Sequence, residues 1–212
     1  MEECLSKPVE KSRDVIVKEA FKLFLQKNVE KVTVPELEQS THLCRGAIFY
    51  HFKDKEAILA EVIETYFFSP LNIFYPLCPE LTGSLEEYWR KKKKHLNQIS
   101  VWFKDEKLLL NPYFAFFHLA GQAYLYIPSF RKRMMELIDS DKLYWKQVAQ
   151  SDKMVKTRKL DSDIVGNTYR SIYIGQCCIA CYEERGPSCS YPGVLDVFFD
   201  ERSKSYGGMI DF

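Results

Sequence analysis

The chain of 212 residues is 46% hydrophobic and 28% charged, which is the composition of a globular protein and excludes a disordered one. Its length allows one large domain or two smaller ones, with a sizeable core. The formal net charge is +1, and residues 1–60 hold equal numbers of acidic and basic side chains, so charge alone gives no support for nucleic-acid binding.

The first predicted element is an amphipathic helix over residues 12–27. Apolar side chains recur on one of its faces, at Ile16, Ala20 and Leu23 among others. Two shorter helices follow, over about 34–40 and 44–50, joined by a tight turn. Thr33 with Glu36 three residues later forms a capping box, and Pro35 lies in the first turn, where its missing N–H costs little. Two helices joined in this way form the motif that places its second helix in the DNA major groove.

A fourth helix is predicted from Asp54, which caps it, to about Phe68. Several prolines and Gly83 then interrupt the helical pattern. We therefore expect three segments, namely a helix-turn-helix domain at 1–53, a linking helix and Pro-containing linker at 54–83, and a helical domain at 84–212.

Helical spacing continues through the last segment. Ser84 with Glu87 gives a second capping box before a helix over about 85–105, whose exposed flank is expected to carry the basic run Arg90–Lys94. Further helices are predicted over about 111–127, 129–150, 161–184 and 193–205. No alternating strand pattern and no internal repeat appears, so the predicted fold class is all-α.

The sequence contains none of the motifs GxSxG, HExxH, GxGxxG or the P-loop, so it offers no evidence for an enzyme.

The longest apolar runs are broken well before the roughly eighteen residues that a membrane span needs, and no apolar leader opens the chain. The seven cysteines form an odd set without regular spacing, for which reduced thiols in a cytoplasm are expected. We predict no cofactor and no metal.

The helix-turn-helix stretch resembles the N-terminal domain of the tetracycline-repressor (TetR) family over roughly residues 12–64. The resemblance depends on three groups of residues in register: Ile16, Ala20, Leu23 and Phe24; Thr33 and Val34; and Gly46 to Phe52 with Lys55, Glu56 and Leu59. The chain departs from the family pattern at Glu38, where alanine is usual, at His42, near the usual turn glycine, and at Cys44, where serine is usual. The turn position near the usual glycine is expected to need a positive φ, which His tolerates better than most other residues.

The resemblance implies which residues meet DNA. Arg45 is the only long cationic side chain in the second helix of the motif, and Arg can bond guanine O6 and N7. Tyr50 and Lys55 resemble family positions that reach phosphates. Phe49 and Phe52 have the alternative role of core residues, which is preferred for Phe52. The predicted DNA-binding residues are Thr33, Arg45, Gly46, Ala47, Phe49, Tyr50, His51 and Lys55.

The resemblance also implies an effector pocket and a homodimer interface in the C-terminal domain. Aromatic side chains are abundant there and suit a flat or apolar small molecule. The alternative is that they are ordinary core residues, and that His118 is a hydrogen-bonded core histidine. The predicted ligand-binding residues are Trp102, Phe103, Phe114, Phe117, His118, Tyr144, Tyr169 and Tyr173.

Cys177, Cys178 and Cys181, with Cys189 downstream, allow a metal or redox interpretation. A closed zinc site needs four ligands, which this set supplies poorly, and buried cysteines also serve as small hydrophobic residues. The resemblance implies a cytoplasmic regulator that binds a palindromic double-stranded operator as a homodimer and is released by a small-molecule effector. The alternative is a helical small-molecule-binding or thiol redox-sensing protein with lost or altered DNA binding.

Overall fold

The computed structural model of the chain describes residues 11–79 and 82–182, and within these ranges it contains helices and no strand. The all-α class predicted from the sequence is confirmed for this part of the chain. A 3-10 turn at Val29–Lys31 precedes α2, and a π-helical turn at Ile63–Phe67 continues α4. The α-helices are α1 (Ser12–Gln26), α2 (Val34–Thr41), α3 (Arg45–His51), α4 (Lys55–Val62), α5 (Leu85–Asp105), α6 (Pro112–Tyr126), α7 (Phe130–Ser151), α8 (Lys153–Thr157) and α9 (Ser162–Ala180).

The predicted helices agree with these bounds to within a few residues. The helix predicted over 54–68 is α-helical only as far as Val62 and then π-helical. The short α8 is not predicted by the sequence pattern, and Asp152 caps it by accepting hydrogen bonds from the N–H groups of Met154 and Val155. The helix predicted over 193–205 lies outside the described residues.

The predicted caps of α2 and α4 are present, and the capping box predicted for α5 is formed in part. Thr33 and Glu36 form the full capping box of α2, and Asp54 Oδ1 accepts a hydrogen bond of 2.8 Å from Ala57 N–H at the start of α4. Ser84 Oγ accepts from Glu87 N–H at 3.2 Å, while the Glu87 carboxylate accepts from Gly83 N–H instead of completing the box on Ser84. The start points of α2, α4 and α5 are therefore set by local side-chain chemistry.

The turn between α2 and α3 has the left-handed residue expected from its sequence. His42 ends α2 with φ 57° and ψ 26°, in the region that glycine occupies without cost. Its side chain is exposed, so no packing compensates for the strained backbone.

Replacing His42 with glycine is expected to raise the free energy of unfolding by about 0.5–1 kcal/mol. Glycine removes the strain of the left-handed backbone, and this gain outweighs the smaller loss that comes from the greater entropy of the unfolded chain. Urea unfolding of both proteins measures the difference. His42→Ala keeps a Cβ atom at the same φ and should give no such gain; a gain of equal size in the alanine variant would show that the backbone strain is not the cause.

The described residues form two compact units. The first comprises the residues up to Tyr75 together with Ala115–Met135. Aromatic rings fill its core: Phe21 stacks on Tyr66 with centroids 4.4 Å apart, and Phe67 lies edge-on to Phe130 at 5.3 Å. The buried amide of Gln122 donates to Phe24 O at 2.9 Å and accepts from Val29 N–H at 2.6 Å. Gln122 thereby joins α6 to the corner between α1 and the 3-10 turn.

The second unit comprises Pro76–Phe114 and the residues from Glu136 onward. Its buried core centres on Trp89, Trp145 and Tyr173, with Tyr88 edge-on to Trp145 at a centroid distance of 4.7 Å. Gly166 allows α9 to pass close to α7, because a Cβ atom there would lie 2.9 Å from the backbone carbonyl of Trp145. The helices of this unit are therefore closely packed around aromatic rings.

The expectation that the basic run Arg90–Lys94 lies on an exposed flank is wrong for Lys92. Its side chain is 1% exposed, and its ammonium lies 2.8 Å from Asp141 Oδ1. Asp141 Oδ2 in turn accepts from Arg170 Nε at 3.0 Å, and Lys92 Nζ lies 4.8 Å from the centre of the Tyr173 ring. Consecutive helical residues point in different directions, so one member of the run faces the core.

Candidate nucleic-acid interface

Helix α3 is anchored by its apolar side chains. Ile48 is fully buried, and Phe52, the residue that follows the helix, is 5% exposed, which confirms the core role preferred for it. Leu37 of α2 is also fully buried. With α2 and α3 joined by the turn at His42, these contacts give the geometry of a helix-turn-helix motif.

The opposite face of α3 is open. Tyr50 is 85% exposed, and Arg45, Gly46 and His51 are also exposed. Ala47 is half-buried. The Tyr50 ring lies edge-on to His51, with centroids 5.2 Å apart. The face therefore presents a cation, a phenol and an imidazole within one short helix.

One shallow pocket on this face is lined by Arg45, Gly46, Phe49 and Lys53. The guanidinium of Arg45 lies 5.7 Å from the centre of the half-buried Phe49 ring, a cation–π distance. A Cβ atom added to Gly46 would meet nothing within 4 Å, so glycine is not required for packing and leaves space at the surface. The structure thus brings together three of the predicted DNA-binding residues and adds Lys53.

Glu38 belongs to the same region, at a position where the family pattern usually has alanine. Its Oε1 accepts a hydrogen bond of 2.6 Å from the backbone N–H of Arg45, at the start of α3. The N-cap residue Cys44 makes no side-chain capping bond. A carboxylate at a helix N-terminus is favourable for the helix dipole. The departure from alanine at position 38 therefore supplies a cap that position 44 does not.

Thr33 and Lys55 lie apart from the pocket and are engaged within the protein. The Lys55 ammonium donates to the backbone carbonyls of Glu30 and Val32 at 3.1 and 2.8 Å. The backbone N–H and hydroxyl of Thr33 both donate to Glu36 Oε2, at 2.8 and 2.9 Å. Both residues hold the segment that leads into α2, and their phosphate contacts remain predictions.

Glu36 is held in its charged form by these contacts. A hydrogen bond from Lys27, followed by those from Thr33, lowers the pKa of Glu36 from 4.5 to about 2. Since the folded pKa lies below the unfolded one, the ionised carboxylate contributes stability above pH 4.5 that is lost as the pH falls through about 2.

Replacing Glu36 with glutamine is expected to lower stability at neutral pH and to leave it almost unchanged near pH 2, because the difference depends on the ionised carboxylate. Chemical unfolding of both proteins between pH 7 and pH 2 measures this difference. The difference in unfolding free energy should be constant above pH 4.5 and should shrink towards zero as the pH falls below 4.5. A difference that does not vary with pH would contradict the assignment.

The predicted ligand-binding aromatic residues fall in both compact units. Tyr144, Tyr169 and Tyr173 pack with Trp145 in the core of the second unit, whereas Phe117 packs edge-on to Phe74 in the first. His118, half-buried, also belongs to the first unit. The remaining members lie in the second unit: Trp102 is half-buried, Phe103 is fully buried and Phe114 is 51% exposed. Their ligand role remains a prediction.

The cysteines of α9 are poorly suited to thiolate chemistry. Burial raises the pKa of the Cys177 thiol to about 12 and that of Cys181 to about 11. The thiolate is the form that reacts and binds metals. Cys189 lies outside the described residues. Within residues 11–79 and 82–182, no group of three or more His, Cys, Asp or Glu side chains could hold a metal ion.

In the same part of the chain, none of the helices has the length and apolar character needed to span a bilayer.

Comparisons with known proteins agree with this geometry. Residues 16–62, which include α2, α3 and most of α1, match the family model described as bacterial regulatory proteins, tetR family. The chain is 29% identical over 93 residues to YerO, an uncharacterised HTH-type transcriptional regulator of Bacillus subtilis, covering 44% of this chain and 30% of YerO. It is 34% identical over 55 residues to the HTH-type transcriptional regulator AcrR of Shigella flexneri, covering 26% of each protein. The chain thus spans less than a third of the curated relatives that it matches.

Solved structures share the fold over most of the chain. A transcriptional regulator of the TerR/AcrR family from Aquifex aeolicus superposes with a TM-score of 0.53 at 19% identity, covering 92% of this chain and 98% of that one. NalD, described as the secondary repressor of the MexAB-OprM multidrug efflux pump in Pseudomonas aeruginosa, superposes with a TM-score of 0.51 at 14% identity, covering 89% and 94%. At these identities the likeness concerns the fold. Residues 16–62, which hold the helix-turn-helix motif, are thus similar to the tetR family of bacterial regulatory proteins.

Proposed function

We propose that the chain is a DNA-binding transcriptional regulator with a regulatory and not a catalytic role. The observation that carries this proposal is the open face of α3, where Arg45, Gly46 and Tyr50 are exposed while Ile48 is buried against the rest of the first unit. This arrangement leaves the base-reading positions of a helix-turn-helix motif available to a major groove. Thr33, Ala47, Phe49, His51 and Lys55 complete the proposed contact set.

The regulator is proposed to act as a homodimer on a palindromic operator, since two-fold symmetric proteins read two-fold symmetric sites. Apolar side chains exposed on and after α9 support an interface there. Ile164 is 67% exposed, Ile179 65% and Tyr182 89%, and an added Cβ at Gly175 would meet nothing within 4 Å. A second copy of the chain would cover such a surface. The proposed division is 1–53 for DNA binding, 54–83 for linkage and 84–212 for effector binding and dimerisation.

A small apolar or aromatic effector is proposed to release the operator, with the regulator acting in the cytoplasm as a repressor. The aromatic content of the helical region after α4 supports this choice. An effector can shift the equilibrium between the DNA-binding state and the released state only by the difference between its binding free energies for the two states. This difference is typically about 1–3 kcal/mol.

The alternative function, a thiol redox sensor or small-molecule-binding protein without DNA binding, has less support. The raised pKa values of Cys177 and Cys181 disfavour reactive thiolates at neutral pH. Binding to duplex DNA that weakens steeply with salt would separate the two functions, because phosphate contacts release counterions.

The test is a selection of random-sequence duplexes by the purified full-length chain at two salt concentrations. We expect enrichment of a palindrome whose half-sites lie about one helical turn, or a multiple of it, apart. A folded protein that enriches no sequence at either salt concentration, with and without a panel of aromatic small molecules, would overturn the proposal.

A further inference from the structure

The pocket on α3 combines features that suit two neighbouring bases. Its lining provides two cations, Arg45 and Lys53, one aromatic ring, Phe49, and the open space left by Gly46. The Lys53 side chain is 91% exposed, and its ammonium forms a long ion pair of 3.8 Å with Asp54. The pocket lining itself contains no carboxylate. Its chemistry therefore fits an electron-rich base edge beside an apolar group.

Arg45 and Phe49 act as a pair because they lie four residues apart on one face of α3. Four residues advance a helix by about 6 Å, whereas successive base pairs are about 3.4 Å apart. The guanidinium lies 5.7 Å from the centre of the Phe49 ring, so the two groups are neighbours on the surface of α3. The two side chains can therefore meet base pairs one or two steps apart.

Each side chain has a distinct complement in the major groove. A guanidinium bonds guanine O6 and N7 together, and an aromatic ring contacts the C5-methyl group of thymine. Phe49 cannot donate or accept a hydrogen bond, so the methyl group is the groove feature that it can distinguish. Gly46 leaves the space beside both side chains into which a base edge can enter.

We propose that Arg45 and Phe49 form one reading unit for a guanine and a thymine that lie one or two base-pair steps apart in each operator half-site, with Phe49 determining the thymine. This inference rests on the proposed function, since it specifies what the same face of α3 recognises.

The test uses the unaltered full-length chain and the palindromic duplex obtained by selection. Each thymine is replaced in turn by deoxyuracil, which removes only the C5-methyl group, and each guanine by 7-deazaguanine, which removes N7. We expect one thymine per half-site at which deoxyuracil weakens binding about three- to fivefold, the value of one buried methyl group. A guanine one or two steps away should show a loss of roughly fivefold or more on losing N7.

Two variants of Phe49 assign the thymine loss to its side chain. Phe49→Ala should bind the thymine and deoxyuracil duplexes equally, and Phe49→Leu provides an apolar replacement whose fold is checked by thermal melting. Tyr50→Phe is the matched control on the same helix, because a phosphate contact affects both duplexes alike and keeps their ratio.

The outcomes separate this inference from the proposed function. If the operator binds but no thymine shows a methyl dependence, or if Phe49→Ala keeps the dependence, the reading unit is wrong and the regulator remains. If no duplex is bound selectively, the proposed function fails and the reading unit fails with it.

Discussion

Replacing Asp141 with alanine is expected to lower the free energy of unfolding by about 3–5 kcal/mol, the cost of removing the carboxylate that pairs with the buried ammonium of Lys92. Asp141 accepts from Lys92 Nζ at 2.8 Å and from Arg170 Nε at 3.0 Å, and the Lys92 side chain is 1% exposed. Burial also raises the pKa of the Tyr173 phenol well above its ordinary value, so the ring beside Lys92 is neutral and cannot replace the carboxylate.

A double variant shows whether the cost comes from the uncompensated charge. Lys92→Met combined with Asp141→Leu removes both buried charges and keeps comparable volume, so it should be markedly more stable than Asp141→Ala alone. Urea unfolding of the full chain, followed by circular dichroism, compares the three proteins. Equal losses in the single and double variants would show that the uncompensated charge is not the cause of the loss.

The second large effect is expected at the DNA surface. Arg45→Ala should reduce discrimination between operator and scrambled duplex by about 1–3 kcal/mol, because a bidentate contact to guanine is lost. Arg45 is exposed, and its cap from Glu38 uses the backbone N–H, which alanine retains. The fold should therefore be unaffected, and melting of the variant checks this.

Lys53→Ala provides the matched control for Arg45→Ala. Lys53 lines the same pocket and is 91% exposed, so its removal also leaves the fold intact. We expect Lys53 to contact a phosphate, so Lys53→Ala should weaken binding to all sequences equally and lower the salt dependence by about one charge. Titration of both variants with operator and scrambled duplex measures the effects. If Arg45→Ala behaved like Lys53→Ala, Arg45 would be a phosphate contact without base preference.

Much of the fold could be predicted because its signals are local. The capping box at Thr33 and Glu36, the cap at Asp54 and the strained turn at His42 each depend on residues within a few positions, and the structure has all three. Periodic apolar residues likewise predict the buried faces of α1 and α4.

The features that could not be predicted depend on distant residues. Lys92 lies 49 positions before Asp141, and nothing in the basic run marks it as the buried member. Glu38 departs from a family pattern, but its bond to Arg45 N–H follows only once α2 and α3 meet at a particular angle. Arg45, Gly46 and Phe49 were predicted individually, whereas the place of Lys53 in the pocket and the position of the Arg45 guanidinium over the Phe49 ring needed the structure.

The position of Gln122 determines how this protein could be divided for engineering. Cutting the chain after Tyr75 would leave Phe24 O and Val29 N–H without the amide that satisfies both, and would expose the Phe21 and Phe67 rings that face Phe116. Grafting the N-terminal helices onto another protein would therefore require Ala115–Met135 to be transplanted with them, as a second, discontinuous piece of sequence. A chimera designed from the first 75 residues alone is expected to be poorly folded even though it contains the whole helix-turn-helix motif.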